Sequence, residues 1–129
     1  MASLTAGELD VMRILWDRGK LKPAEIQQLY PRPIKNAAVR FQLRVLLEKG
    51  HVSRRKVGKA YYYAAVTRRD GALRKMARRM ADAFSGGSTA GLIAELIKSE
   101  KLTADEIREL KRIAGEKPGN ANDTRGENQ

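Results

Sequence analysis

Asn36-Ala-Ala-Val-Arg-Phe-Gln-Leu-Arg-Val-Leu-Leu-Glu-Lys-Gly-His-Val-Ser-Arg-Arg-Lys-Val-Gly-Lys-Ala-Tyr-Tyr-Tyr63 changes its hydrophobic period once, at Gly50, and that change decides the fold. Before it, Val39, Leu43, Leu46 and Leu47 recur at helical spacing, which predicts a helix over 36–49 closed by Gly50 as the left-handed residue past its end. The face opposite that stripe carries Asn36, Ala37, Arg40, Phe41 and Arg44. After it the pattern is strand-like. Val52 opens one strand, Val57-Gly-Lys59 supplies a turn, and the β-prone Tyr61, Tyr62 and Tyr63 begin a return strand ending near Val66. Alternation places Tyr61 and Tyr63 on one face and Tyr62 on the other. Tyr61 and Tyr63 are the pair expected against the helices. A helix running straight into a basic hairpin predicts a winged helix.

Upstream, Thr5-Ala-Gly-Glu8 reads as a capping box. Leu9, Met12, Leu15 and Trp16 then predict a helix over roughly 5–18, ended by Gly19, with Trp16 in the core. Leu21 lies in a connector able to add one sheet pair. Pro23 suits a first helical position, and Ile26 and Leu29 give a short helix to about Tyr30, stopped by Pro31-Arg-Pro33. These helices and the one over 36–49 compose a helix-turn-helix.

Downstream, Thr67-Arg-Arg-Asp70 reads as a second cap, opening a long helix with Leu73, Met76, Met80 and Phe84 on one stripe. Ser85-Gly-Gly87 breaks it. Leu92, Ile93, Leu96 and Ile97 mark another helix, and Thr103-Ala-Asp-Glu106 caps a last one with Ile107, Leu110 and Ile113. Each has one apolar stripe and buries little alone; folding back on the winged domain is the alternative to pairing with a second copy. Pairing with a second copy is the expected way to bury them, so Leu73, Met76, Met80, Phe84, Leu92, Ile93, Leu96, Ile97, Ile107 and Leu110 are the expected dimerisation residues. The fold class is thus mainly α with a small β wing. Residues 1–66 form a winged helix-turn-helix domain, 67–115 a helical dimerisation region, and 116–129 a polar tail expected to be disordered.

Composition narrows the chemistry. Among 129 residues there is no cysteine and one histidine, His51, which nearly empties the inventory for nucleophilic, disulfide or metal chemistry. No enzyme and no cofactor are expected. No apolar run suits a signal peptide or a membrane span, so the chain is read as cytoplasmic. The net charge is +11, and it is segregated: residues 35–79 hold fourteen Lys/Arg against two acids, while the rest is close to neutral. A polyanion is the natural partner of such a stretch.

Several segments are similar to the penicillinase-repressor family of winged-helix repressors. Leu4-Thr-Ala-Gly-Glu-Leu-Asp-Val-Met-Arg-Ile-Leu-Trp16 looks like the family's opening helix. Val39 to Gly50 looks like its recognition helix, and Gly58-Lys-Ala-Tyr-Tyr-Tyr63 like its wing. Phe84-Ser-Gly-Gly87, Leu92-Ile93 and the helix over 103–110 look like its dimerisation end. The resemblance implies a homodimer on a palindromic double-stranded DNA operator. It also implies, for some members, induction by a membrane sensor-protease pathway that cuts an Asn-Phe pair; the matching residues here are Glu95 and Leu96. The copper-responsive branch uses C-terminal cysteines, which this chain lacks. The better-known members carry threonines where this chain has Ala38 and Phe41 and an arginine where it has Val45, which implies a different operator.

A helix fits the major groove, so the residues opposite the core stripe are the expected readers: Asn36, Ala37, Arg40, Phe41 and Arg44, with Arg40 or Arg44 gripping guanine. Phe41 stays open between a thymine-methyl contact and the core. Lys35 and Lys49, at the helix ends, suit phosphates. Arg54, Arg55, Lys56 and Lys59 surround the wing turn and suit the DNA backbone or minor groove. Arg68, Arg69, Arg74 and Arg78 extend the footprint or cover a solvent face. His51 reads as structural. A non-specific architectural binder of nucleic acid, which needs only the charge, is the alternative function.

Overall fold

The computed structural model describes residues 3–115, in the order α1 (Ala6–Arg18), α2 (Pro23–Leu29), α3 (Asn36–Lys49), β1 (Val52–Val57), β2 (Ala60–Ala65), α4 (Arg69–Phe84), α5 (Thr89–Ser99) and α6 (Ala104–Gly115). The tail expected from residue 116 lies outside the described residues. The chain divides into two compact units, and the boundary between Met80 and Ala81 falls inside α4.

In the first unit the elements start and stop where the local chemistry dictates. Thr5 and Glu8 close a reciprocal capping box, Glu8 N–H donating to Thr5 Oγ1 at 3.2 Å and Thr5 N–H to Glu8 Oε1 at 3.0 Å. Pro23 opens α2, and Glu25 Oε1 accepts from Lys22 N–H at 2.8 Å. Gly50 ends α3 at φ +82°, a left-handed conformation that a side chain would strain. The two strands pair antiparallel from Val52 opposite Ala65 to Val57 opposite Ala60, joined by a two-residue turn in which Gly58 takes φ +64°.

Val11, Met12, Ile14 and Leu15 of α1, Ile26 of α2, Val39, Leu43 and Leu46 of α3, and Val52 and Tyr63 of the hairpin form one buried cluster. Leu47, expected on the α3 stripe, is only partly buried at its margin. Trp16 packs on the cluster and donates from Nε1 to Thr67 O at 2.8 Å, so its ring is partly buried while its N–H is satisfied. Leu21 adds the single expected sheet pair, exchanging both backbone bonds with Tyr63 at 3.0 and 2.8 Å.

Two expectations are corrected. Tyr63 is buried, but Tyr61 is 38% exposed. The hairpin leaves the helices as it approaches its turn, and Leu21 supports it only at Tyr63, so Tyr61 lies beyond the edge of the core. Thr67 does not open α4. The first bond of that helix runs from Ala72 N–H to Arg68 O, and the Thr67 hydroxyl lies 2.7 Å from His51 Nδ1. His51 is buried, and its carbonyl accepts from Val66 and Thr67 N–H. It therefore fastens the end of α3 to the end of the wing.

In the second unit Ser88 caps α5 through Gly91 N–H at 2.8 Å, and Thr103 and Glu106 form the expected capping box on α6. Burial is sparse. Ala81 and Leu92 are buried, α6 buries none of its residues, and Phe84, Ile93, Leu96, Leu110 and Ile113 are exposed. Leu92, expected on a dimer surface, is buried in the single chain. The residue sets of α4–α6 are otherwise open, with Leu73, Met76 and Met80 exposed and Ile97 and Ile107 half-buried.

Candidate nucleic-acid interface

Burying Val39, Leu43 and Leu46 fixes the rotation of α3 and so determines what its far side presents. Ala37, Arg40, Phe41 and Arg44 are exposed there, and Asn36 is half-buried at the first turn. Phe41, open between core and surface from the sequence, is 54% exposed. The Arg44 guanidinium sits over its ring, 5.4 Å from the centroid. Ala37 and Ala38 bracket this face with side chains too small to keep a partner at a distance.

Arg40 is held from behind. Its Nε donates to Asn36 Oδ1 at 2.6 Å, Asn36 Nδ2 donates to Gln27 Oε1 at 3.1 Å, and Gln27 Nε2 donates to the Ile34 carbonyl at 3.0 Å. Gln27 carries no signal in the sequence, because its role depends on the α2–α3 turn that brings it beside Asn36.

The hairpin separates its cations by face. Register pairs Arg54 with Tyr63 and Lys56 with Tyr61 on the face that carries buried Val52, and Arg55 with Tyr62 on the other. Arg54 stacks 4.2 Å from the Tyr61 centroid and lies 3.4 Å from the Tyr63 hydroxyl, while Lys56 Nζ is 5.9 Å from the same Tyr61 ring. On the opposite face Lys22 Nζ lies 5.9 Å from Tyr62, placing a cation from the α1–α2 connector beside the wing. Arg55 and Lys59 are exposed, as is Lys35 at the α3 N-terminus.

Two cations are committed elsewhere. Lys49 was expected to suit a phosphate, but its Nζ lies 2.8 and 3.0 Å from the Glu8 carboxylate and 3.1 Å from Ser3 O. Burial pushes the Glu8 carboxyl up, yet the Lys49 hydrogen bond, the Thr5 N–H and the charges of Lys49 and His51 outweigh it and hold the group below its ordinary value. Arg32, in the turn before α3, is drawn 2.5 Å from Asp10 Oδ2, pinning Pro31-Arg-Pro33 to α1.

A helix-turn-helix with an exposed, cation-bearing third helix and a basic hairpin beside it defines the chain as a winged-helix regulator of the DNA-binding class. The fold agrees with two solved structures. Wild-type MarR (apo form) from E. coli has a TM-score of 0.54 at 22% identity, covering 86% of this chain and 75% of that one. The YusO protein of Bacillus subtilis has a TM-score of 0.52 at 21% identity, covering 86% and 72%. Residues 4–116 match the penicillinase repressor family, and the chain belongs to it. The penicillinase repressor of Staphylococcus aureus is 27% identical over 113 residues, 85% of this chain and 89% of that protein. Members of this family are transcriptional regulators, not enzymes. No helix among the described residues is long and apolar enough to cross a membrane.

Proposed function

We propose that this chain is a sequence-specific transcriptional repressor that binds a palindromic operator as a homodimer. The observation that carries the reading is the exposed α3 face, with Arg40, Phe41 and Arg44 beside a hairpin bearing Arg54, Arg55, Lys56 and Lys59. Such a face reads base edges in the major groove while the wing holds backbone phosphates. The exposed apolar residues of α4, α5 and α6 support the second copy, because a two-fold pair of chains buries them and presents two α3 helices to two half-sites. A non-specific binder would have no use for a positioned arginine and an exposed phenylalanine on one helix face.

Induction by a membrane sensor-protease, the route of some members of the family, meets an obstacle here: Glu95-Leu96 stands where those members are cut at an Asn-Phe pair.

Selection from a random duplex pool with the full chain tests the reading. The expected product is an inverted repeat bound by two chains, with Arg40→Ala costing about 1–3 kcal/mol on that site and relaxing one base pair per half-site. Equal binding to selected and random duplexes at physiological salt would overturn the specific reading in favour of the architectural one.

A further inference from the structure

Resting on the repressor reading above, we propose that Gln27, on α2, is a positioning residue for base readout: through Asn36 it sets the direction in which Arg40 presents its guanidinium, and so tunes specificity at a base pair it does not touch.

The three hydrogen bonds form a chain of fixed polarity. A backbone carbonyl only accepts, so Ile34 O requires the Gln27 amide to point its NH2 group there. That leaves Gln27 Oε1 toward Asn36, which must donate from Nδ2 at 3.1 Å and turn its own oxygen outward. Asn36 Oδ1 then accepts from Arg40 Nε at 2.6 Å. Each amide has one orientation that satisfies both neighbours, and the carbonyl at the start selects it. Asn36, expected from the sequence to meet bases, has its oxygen and one N–H engaged in this relay and acts on Arg40.

The consequence for readout is geometric. A guanidinium offers one pair of donors along its Nε side and another at its Nη1/Nη2 end. With Nε held by Asn36, the end-on pair remains, and two parallel donors match guanine O6 and N7. An exposed arginine otherwise loses side-chain freedom when it docks; here part of that ordering is complete in the free protein.

The test uses the full chain, the duplex it enriches from a random pool, and every single-base-pair variant of that duplex. Gln27→Met keeps length and removes both amide functions. It is expected to lower discrimination at one guanine-containing pair per half-site by about three- to tenfold, the cost of ordering one long side chain on docking. Binding to random duplex and the salt dependence should stay at wild-type values. Asn36→Ala cuts the relay one step later and should reproduce the same pattern. In an Arg40→Ala background Gln27→Met should have no further effect. Melting curves establish that each variant is folded. Loss spread evenly over all base pairs, or a Gln27→Met effect that persists without Arg40, overturns the relay. If both folded variants discriminate like wild type at every pair, the relay also falls while the repressor reading stands. If the wild-type chain enriches no sequence, the repressor reading itself falls, and the relay with it.

Discussion

Neutralising the tip of the wing should weaken binding to every DNA sequence by nearly the same factor, with a size fixed by counting charges. Arg55, Lys56 and Lys59 are exposed on the hairpin and make no ion pair among the described residues. Arg54 is left alone because it packs on Tyr61 and reaches the Tyr63 hydroxyl, so its loss would disturb the hairpin as well as the charge. Each phosphate neutralised by a cation contributes about 0.9 to the slope of log K against log salt on duplex DNA. Converting the three residues to glutamine should therefore reduce that slope by about 2.7 for one wing, and by roughly 5 for a symmetric pair of chains. Fluorescence anisotropy titrations across a salt series, on the selected duplex and a random one, read both slopes. The ratio of the two affinities should change little, because phosphate contacts position the protein without reading sequence. An unchanged slope would refute the placement of the wing on the backbone. A collapse of specificity with the slope intact would show the wing to be reading bases.

Other expectations bear on the fold and on α3. Glu8→Gln removes the negative charge opposite Lys49 and turns one of its two acceptor oxygens into a donor NH2 group, and should cost about 1–3 kcal/mol in chemical denaturation. Because the folded Glu8 carboxyl is held below its ordinary value, its contribution is present above the unfolded carboxylate range and lost as pH falls through the folded value; thermal scans should show this acid-side loss in wild type and not in Glu8→Gln. Phe84→Asp together with Leu96→Asp should convert a dimer to folded monomers by sedimentation with helix content retained; an unchanged sedimentation coefficient would remove these residues from the interface. Replacing thymine by deoxyuridine at the base pair facing Phe41 should weaken wild type by about 1 kcal/mol, close to one buried methyl, and leave Phe41→Ala indifferent.

The parts of the structure legible in the sequence are those set by neighbours a few residues apart. The ends of α3 follow from a 3.6-residue stripe and Gly50, the wing from a change of period, and the caps at Thr5 and Thr103 from residues three positions apart. What was not legible depends on partners distant in the chain. Lys49 has the look of a phosphate ligand until the fold brings Glu8 to it across 41 residues. Thr67 has the spacing of a cap, but His51, 16 residues away, lies at its hydroxyl. Tyr61 and Tyr63 are equivalent by alternation and differ only in how far the helices reach along the hairpin. Gln27 gains its role from a turn held by Arg32 and Asp10, which no local pattern encodes.

These distant contacts also explain how one cationic stretch can do two jobs. A charge cluster on a loose surface would hold DNA without register. Here α3 is joined to α1 by Lys49 and Glu8, the end of the wing to α3 by Thr67 and His51, the same point to α1 by the Trp16 N–H, and the wing's return strand to the connector by Leu21 and Tyr63. Each tie lies at the root of an element proposed to face DNA and leaves its tip exposed. In the proposed complex the wing cannot settle on phosphates without setting the position of α3 in the groove. A phosphate contact made at Arg55 or Lys59 thus constrains which base edges Arg40 and Arg44 can reach, and the ties at the roots make the charge count for specificity as well as affinity.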